Sequence, residues 1–295
     1  MKDYQLKFTS LSPAITPLQS DTLFGHIAWA IRYLYGESEL LSFLDSFEDH
    51  KDAHFLISDG FPEGYLPKPV LPPLPLQHVN QVIESTAQNK TELSVADKTQ
   101  ILKDIKKQKY LPLSLFEKLQ PDCTPENLLR LSLENVLKKE MYLEPESERV
   151  RQVVTHNTVN RVYNQVIEGL YRQSEFFQSA DHANMVYVKN KYFSDQQLED
   201  IVKFIEMSGY GRDKSTGKGQ YRIELLQDNP LHSIDEANGF MVLSHYVPDE
   251  QAPVTGYYHL MTKYGRLGGH YANSTIPGLN SGNPQPFKKP ITMIK

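Results

Sequence analysis

Residues 184–226 read NMVYVKNKYFSDQQLEDIVKFIEMSGYGRDKSTGKGQYRIELL, and the fold turns on them. Residues 184–189 hold Val186, Tyr187 and Val188 in a short β-prone run, which predicts a strand. Residues 195–207 bring Leu198, Ile201, Val202 and Ile205 onto one face at helical spacing. A glycine-rich bend follows, and residues 221–226 predict a second strand. Strand, helix, bend, strand makes one β-α-β unit. The opening of the chain has the same order. Residues 4–9 alternate apolar and polar side chains as a strand does, and a loop with Pro13 and Pro17 leads to a helix. Ser20 or Asp21 can cap that helix and Gly36 can end it, with Leu23, Ile27, Ala30, Ile31 and Leu34 toward a sheet. Residues 54–58 predict the returning strand. Two β-α-β units in one chain imply an α+β fold, a ferredoxin-like (RRM-like) βαββαβ domain.

Between the two units the character changes. Residues 61–75 are too rich in proline for a central strand and read as an edge or an ordered loop. Residues 80–146 read as a helical insertion. Residues 95–107 form a charged amphipathic helix, and Thr124, Pro125 and Glu126 open another that runs to about residue 139. Residues 151–163 read as extended, 164–169 as a turn and 170–177 as the return strand. Beyond the second unit, strands are predicted at 240–246, 257–263 and 290–295. The domains expected are therefore 1–230, carrying the insertion, and a smaller β-rich or degenerate ferredoxin-like domain over 231–295.

A chain of 295 residues buries a sizeable core, and its apolar and charged fractions of 39% and 23% are those of a globular protein. Cys123 is the only cysteine, so no internal disulfide is available and a reducing compartment fits. The first residues carry no signal-peptide core, and no apolar run reaches the roughly 18 residues that cross a membrane. The expected location is the cytoplasm. A net charge of −5 argues against a protein that coats nucleic acid indiscriminately. The distribution says more than the sum. Glu37, Glu39, Asp45, Glu48, Asp49, Asp52, Asp59 and Glu63 crowd one stretch, whereas residues 251–295 contain no Asp or Glu but do contain Lys263, Arg266, Lys288, Lys289 and Lys295. One end of the molecule is electropositive.

Gly209, Gly211, Gly217 and Gly219 are interleaved with Arg212, Lys214, Ser215, Thr216 and Lys218. Glycine lets backbone amides approach an anion, and the cations and hydroxyls supply charge and donors. Three nucleotide motifs are excluded. A P-loop needs four residues before Gly-Lys-Ser/Thr, but five separate Gly211 from Gly217, and Lys218 is followed by Gly219. A dinucleotide fingerprint opens a helix, whereas this bend opens a strand. A kinase loop needs a catalytic loop and metal aspartate downstream, and neither follows. The bend suits a phosphodiester chain.

The bend, together with Ser20-Asp21-Thr22-Leu23-Phe24-Gly25, resembles the repeat-associated mysterious protein (RAMP) superfamily of CRISPR systems. Gly64-Tyr65-Leu66-Pro67-Lys68-Pro69, His156-Asn157-Thr158-Val159-Asn160-Arg161 and Tyr258-His259-Leu260-Met261-Thr262-Lys263-Tyr264-Gly265 narrow it. Together they resemble the fourth subunit of type III-A (Csm) effector complexes, a relative of the Cas5 group, over nearly the whole chain. The resemblance implies a non-catalytic RNA-binding subunit in antiviral defence. It implies a crRNA 5′-handle binder that caps a filament of backbone RAMP subunits and docks on the large polymerase/cyclase-type subunit.

A single-stranded handle is held by Lys, Arg and backbone amides on its phosphates, with bases splayed onto aromatic side chains. The candidate contacts are Ser20, Lys68, Arg161, Gly209, Gly211, Arg212, Lys214, Ser215, Thr216, Gly217, Lys218, Gly219, Lys263 and Arg266, with Tyr210 and Tyr264 as stacking candidates. Ser20 stands at a helix N-terminus, where free amides attract an anion; Asp21 beside it would repel one and reads as a cap. The rival activity is a metal-independent endoribonuclease acting on CRISPR repeat RNA, with His26 as general acid–base near the bend and Tyr33 or a lysine assisting. His232, His245, His259 and His270 show no paired ligand spacing, so no metal and no cofactor is expected.

Overall fold

The computed structural model describes residues 1–48, 53–87, 94–137, 149–160, 162–163, 165–179, 181–228, 230–231, 234–249, 251–265 and 290–295. In chain order the elements are β1 (Lys2–Ser10), α1 (Ser20–Tyr35), α2 (Glu37–Asp45), β2 (Phe55–Ile57), β3 (Phe61–Pro62) and β4 (Tyr65–Pro67). The insertion supplies α3 (Leu76–Ala87), α4 (Val95–Lys107), β5 (Tyr110–Pro112), α5 (Leu113–Leu119) and α6 (Pro125–Leu137). Then come β6 (Arg149–Asn160), β7 (Gln165–Gln178), β8 (Ala183–Asn190), α7 (Asp195–Ser208), β9 (Tyr221–Leu226), β10 (Leu260–Lys263) and β11 (Ile291–Ile294).

The main sheet is antiparallel, in the order β2-β8-β1-β9, with β3 pairing β8 further along. Each β-α-β unit therefore straddles a strand of the other: β8 lies between β1 and β2, and β1 lies between β8 and β9. The helices α1 and α7 cover one face. Leu23, Ile27, Ala30 and Ile31 of α1 and Leu198, Ile201, Val202 and Ile205 of α7 pack on Tyr4, Leu6, Phe8, Val186, Val188, Tyr221 and Ile223. The opposite face is covered as well. Met185 and Tyr187 join Phe61 and Leu66, with Tyr110, Leu113, Phe116, Leu231 and Leu243 against them. A strand buried on both faces has no reason to alternate, and β8 accordingly carries an unbroken run of large side chains from Met185 to Val188.

The insertion carries small cores of its own. One joins Ile83 and Ile105 to Leu129 and Leu133, the other Leu111, Leu115 and Leu119 to Leu128 and Leu131. Local chemistry sets the starts of its helices. Ser94 and Asp97 form a capping box on α4, and the Asn127 amide donates to Thr124 Oγ1 at 3.3 Å ahead of α6.

Four expectations change. Neither Ser20 nor Asp21 caps α1: the helix begins at Ser20, Gln19 precedes it without a side-chain cap, and the Ser20 amide donates to the Asp59 carboxylate at 2.8 Å. Leu34 is not core, being 41% exposed. Residues 240–246 are not a strand. Their backbone bonds go to separate segments: the Leu243 carbonyl accepts from Asp59, His245 N–H donates to Ser20 Oγ, and Tyr246 bridges Ile294. No single neighbour offers them a ladder. The turn expected at 164–169 is also shorter, because β7 already begins at Gln165.

Candidate nucleic-acid interface

The glycine bend is a rigid piece of structure. Gly209 ends α7 with φ 74°, and Gly211, Gly217 and Gly219 take φ values of 78°, 86° and 63°. Asp213 is also left-handed, at φ 59°, and its carbonyl accepts from the Thr216 amide, the Thr216 hydroxyl and the Lys218 amide. A Cβ on Gly219 would stand 2.0 Å from the Tyr210 carbonyl oxygen, and one on Gly211 would stand 2.6 Å from Thr16 Cβ. At Gly211 and Gly219 the chain crosses itself too closely for a side chain, whereas Gly217 answers to its left-handed backbone alone.

Most backbone amides of the bend are turned inward, which revises the phosphate-cradle reading of its glycines. Tyr210 donates to the Gly219 carbonyl, Gly211 to His26 Nε2 at 3.0 Å, Arg212 to Thr16 Oγ1, Gly219 to the Pro13 carbonyl and Gln220 to Ser12 Oγ. Tyr210 is the pin. At 1% exposure it accepts from the Gln19 amide and donates to the Pro17 carbonyl, and burial pushes its hydroxyl well above the usual range. It is a core residue and not a stacking platform; Tyr264 is 64% exposed. What the bend offers outward is side chains. Arg212, Ser215 and Thr216 are exposed, and Lys214 is half-buried in a single 3-10 turn with no acidic partner among the described residues. Desolvation lowers the Lys214 pKa.

The other candidate cations differ. Lys218 is paired with Glu175 of β7, and holds that carboxyl below its usual range. Lys263 of β10 is paired with Asp21 and also donates to Gln19 Oε1 at 2.9 Å. The Lys68 amine donates to the Ile105 carbonyl at 2.8 Å, which ties the end of β4 to the insertion. Ser20 is 4% exposed with Oγ accepting from His245, which leaves no surface for a ligand. Arg161 and Arg266, like His232 and His270, lie outside the described residues.

His26 sits under the bend, its ring 5.0 Å from that of Tyr210. Burial, with the nearby Lys214 charge second, pulls its pKa down to about 4. The ring is neutral at pH 7 and Nε2 is occupied as an acceptor, so His26 positions Gly211 and has no proton on that nitrogen to give. Among the described residues no cluster of three or more His, Cys, Asp or Glu is placed to hold a metal, and no helix is long and apolar enough to cross a membrane. Sequence reading missed the anchors Ser12, Thr16, Gln173 and Glu175, of which Gln173 donates to Asp213 at 2.9 Å. No motif could reveal them, because they meet the bend only through the fold.

The sequence matches no protein-family model and no curated protein. The fold does find counterparts. A chain of the Csm3–Csm4 subcomplex in the type III-A CRISPR-Cas interference complex superposes with a TM-score of 0.56 at 14% identity, covering 100% of this chain and 90% of that one. A chain of the Csm1–Csm4 cassette in complex with cA4 gives 0.52 at 20% identity, covering 88% and 82%. The same cassette in complex with AMPPNP gives 0.51 at 20% identity, again over 88% and 82%. Csm4 is the component common to these assemblies. The chain carries the mixed α+β fold, with antiparallel sheets, found in such subunits.

Proposed function

We propose that this chain is a non-catalytic RNA-binding subunit of a type III-A (Csm) CRISPR effector ribonucleoprotein. In this reading it holds the 5′ handle of the crRNA and caps the backbone filament beside the large polymerase/cyclase-type subunit. The carrying observation is the bend itself: a loop tied by hydrogen bonds to the chain around it that turns Arg212, Ser215 and Thr216 outward and keeps Lys214 half-buried beside them, while its glycines do scaffolding. A half-buried lysine without a carboxylate partner among the described residues suits a ligand that brings its own negative charge, and preorganisation removes the ordering cost on binding. The interleaved sheet order supports reading residues 1–230 as a ferredoxin-like, RRM-like unit. The match in fold to chains of the Csm1–Csm4 and Csm3–Csm4 assemblies supports the two protein partners. The geometry of His26 speaks against the endoribonuclease alternative.

The test is an assembled particle crosslinked by ultraviolet light and mapped by mass spectrometry, with RNA adducts expected in residues 209–220. On the isolated chain, Lys214→Gln should flatten the salt dependence of single-strand binding by about 0.7. Crosslinks confined to other surfaces sink the reading. Site-specific cleavage of repeat RNA without metal, abolished by His26→Ala, would replace it with the nuclease.

A further inference from the structure

The lysines around the bend fall into three kinds. Lys214 has no acidic partner among the described residues, Lys218 is held by Glu175, and Lys263 is held by Asp21. The two ion pairs differ in how deeply the acid lies. The Glu175 side chain is 3% exposed and also accepts from Gln152 Nε2 at 2.7 Å. Asp21 and Lys263 each keep 24% of their side chains exposed. A buried carboxylate with two donors does not leave its partner readily, since departure strands a charge in a low-dielectric site. A pair still wetted by solvent exchanges easily, because water compensates each partner.

The position of the wetted pair matters as much as its exposure. The Lys263 amine lies over the first turn of α1, bonded to Gln19 Oε1 at 2.9 Å and Thr22 Oγ1 at 3.3 Å. The same Gln19 donates its backbone amide to Tyr210, between the first two glycines of the bend. Arg212 N–H donates to Thr16 Oγ1 three residues before Gln19, so the bend and Lys263, which already has an anionic partner of a phosphate's sign, meet the same short segment of chain.

We infer that Asp21 is an internal stand-in for an RNA phosphate, holding Lys263 while the site is empty and yielding it to the backbone of the bound strand. The inference rests on the RNA-binding reading above. Lys263 is never left unpaired, and a simple anion that offers no gain over the carboxylate does not displace it. Asp21 then turns toward the solvent it already meets. Lys218 stays with Glu175 throughout and is structural.

The experiment uses the full chain and a labelled oligouridylate, with affinity measured across a potassium chloride series. Asp21→Asn should tighten binding several-fold and steepen the salt slope by up to about 0.7, because no carboxylate is left to take up a cation when Lys263 turns to a phosphate. In a Lys263→Gln background the same change should give no gain, whereas Glu175→Gln should not tighten binding. The inference is overturned if Asp21→Asn changes nothing, or if its gain survives the loss of Lys263, which would make it a simple effect of net charge. If Asp21→Asn fails to fold by circular dichroism, Lys263→Gln alone decides: a several-fold loss of affinity sustains the inference, and unchanged affinity ends it. If Lys214→Gln binds like the unaltered chain, the RNA-binding reading itself has failed. If Lys214→Gln weakens binding while Asp21 and Lys263 act independently, only the stand-in has failed.

Discussion

Gly217 and Gly219 take left-handed backbone two residues apart, yet they answer to different constraints. Around Gly217 nothing approaches within 4 Å of a built Cβ, so its glycine is required by φ 86° alone. Gly219 faces the Tyr210 carbonyl oxygen at 2.0 Å as well. Left-handed backbone costs an alanine about 1–2 kcal/mol, and Gly217→Ala should lose about that much stability in urea unfolding. Gly219→Ala should lose clearly more, at least about 3 kcal/mol, because the clash is with main chain that carries the Tyr210–Gly219 hydrogen bond. Equal losses for the two variants would mean that the crossing is looser than described.

Helix α7 delivers the bend, and its two ends are built differently. At the start, Ser194 accepts from the Gln197 amide while Gln197 reaches back to the Ser194 amide, a reciprocal cap within one turn. At the end, Gly209 returns its amide to the Ile205 carbonyl and launches the loop. Ser194→Ala should reduce global stability by about 1 kcal/mol and leave RNA affinity unchanged, measured by urea unfolding beside fluorescence anisotropy. A fall in affinity would show that the start of α7 is coupled to the bend. Helix α1 has no such local cap. The orphan amide of Ser20 is answered by Asp59 from another part of the chain.

Asp59 is where the whole molecule is tied together. Its carboxylate takes the Ser20 amide at 2.8 Å, His245 Nδ1 at 3.0 Å and the Lys295 amine at 2.8 Å, so α1, the 240–246 segment and the end of β11 meet on one side chain. Burial alone would raise its pKa; the bonds from His245, Lys295 and Ser20 outweigh burial and bring it down to about 2. A depressed carboxylate stabilises the fold above its unfolded pKa and loses that contribution as pH falls through the folded value. Stability should therefore drop between about pH 4 and pH 2, by roughly 2 kcal/mol from this residue. Asp59→Asn should abolish that step and speed amide exchange in β10 and β11 at neutral pH. Exchange confined to the insertion would place the tie elsewhere.

Composition, periodicity and punctuation alone were enough for the elements that carry a one-sided apolar face, a short β-prone run or a local stop signal. Helices α1 and α7, strands β1, β8 and β9 and the bend between Ser208 and Tyr221 stand where spacing put them, because side-chain period and glycine freedom are properties of neighbouring residues. Charge partnership is not such a property. That Lys218 belongs to Glu175, Lys263 to Asp21 and Lys68 to the insertion, leaving Lys214 as the half-buried cation of the bend without an acidic partner among the described residues, follows from strands and turns far apart in the chain meeting in space. Residues 240–246 carry a strand's composition, but their hydrogen bonds are claimed by separate neighbours, and only tertiary packing decides which backbone groups remain available to make a ladder.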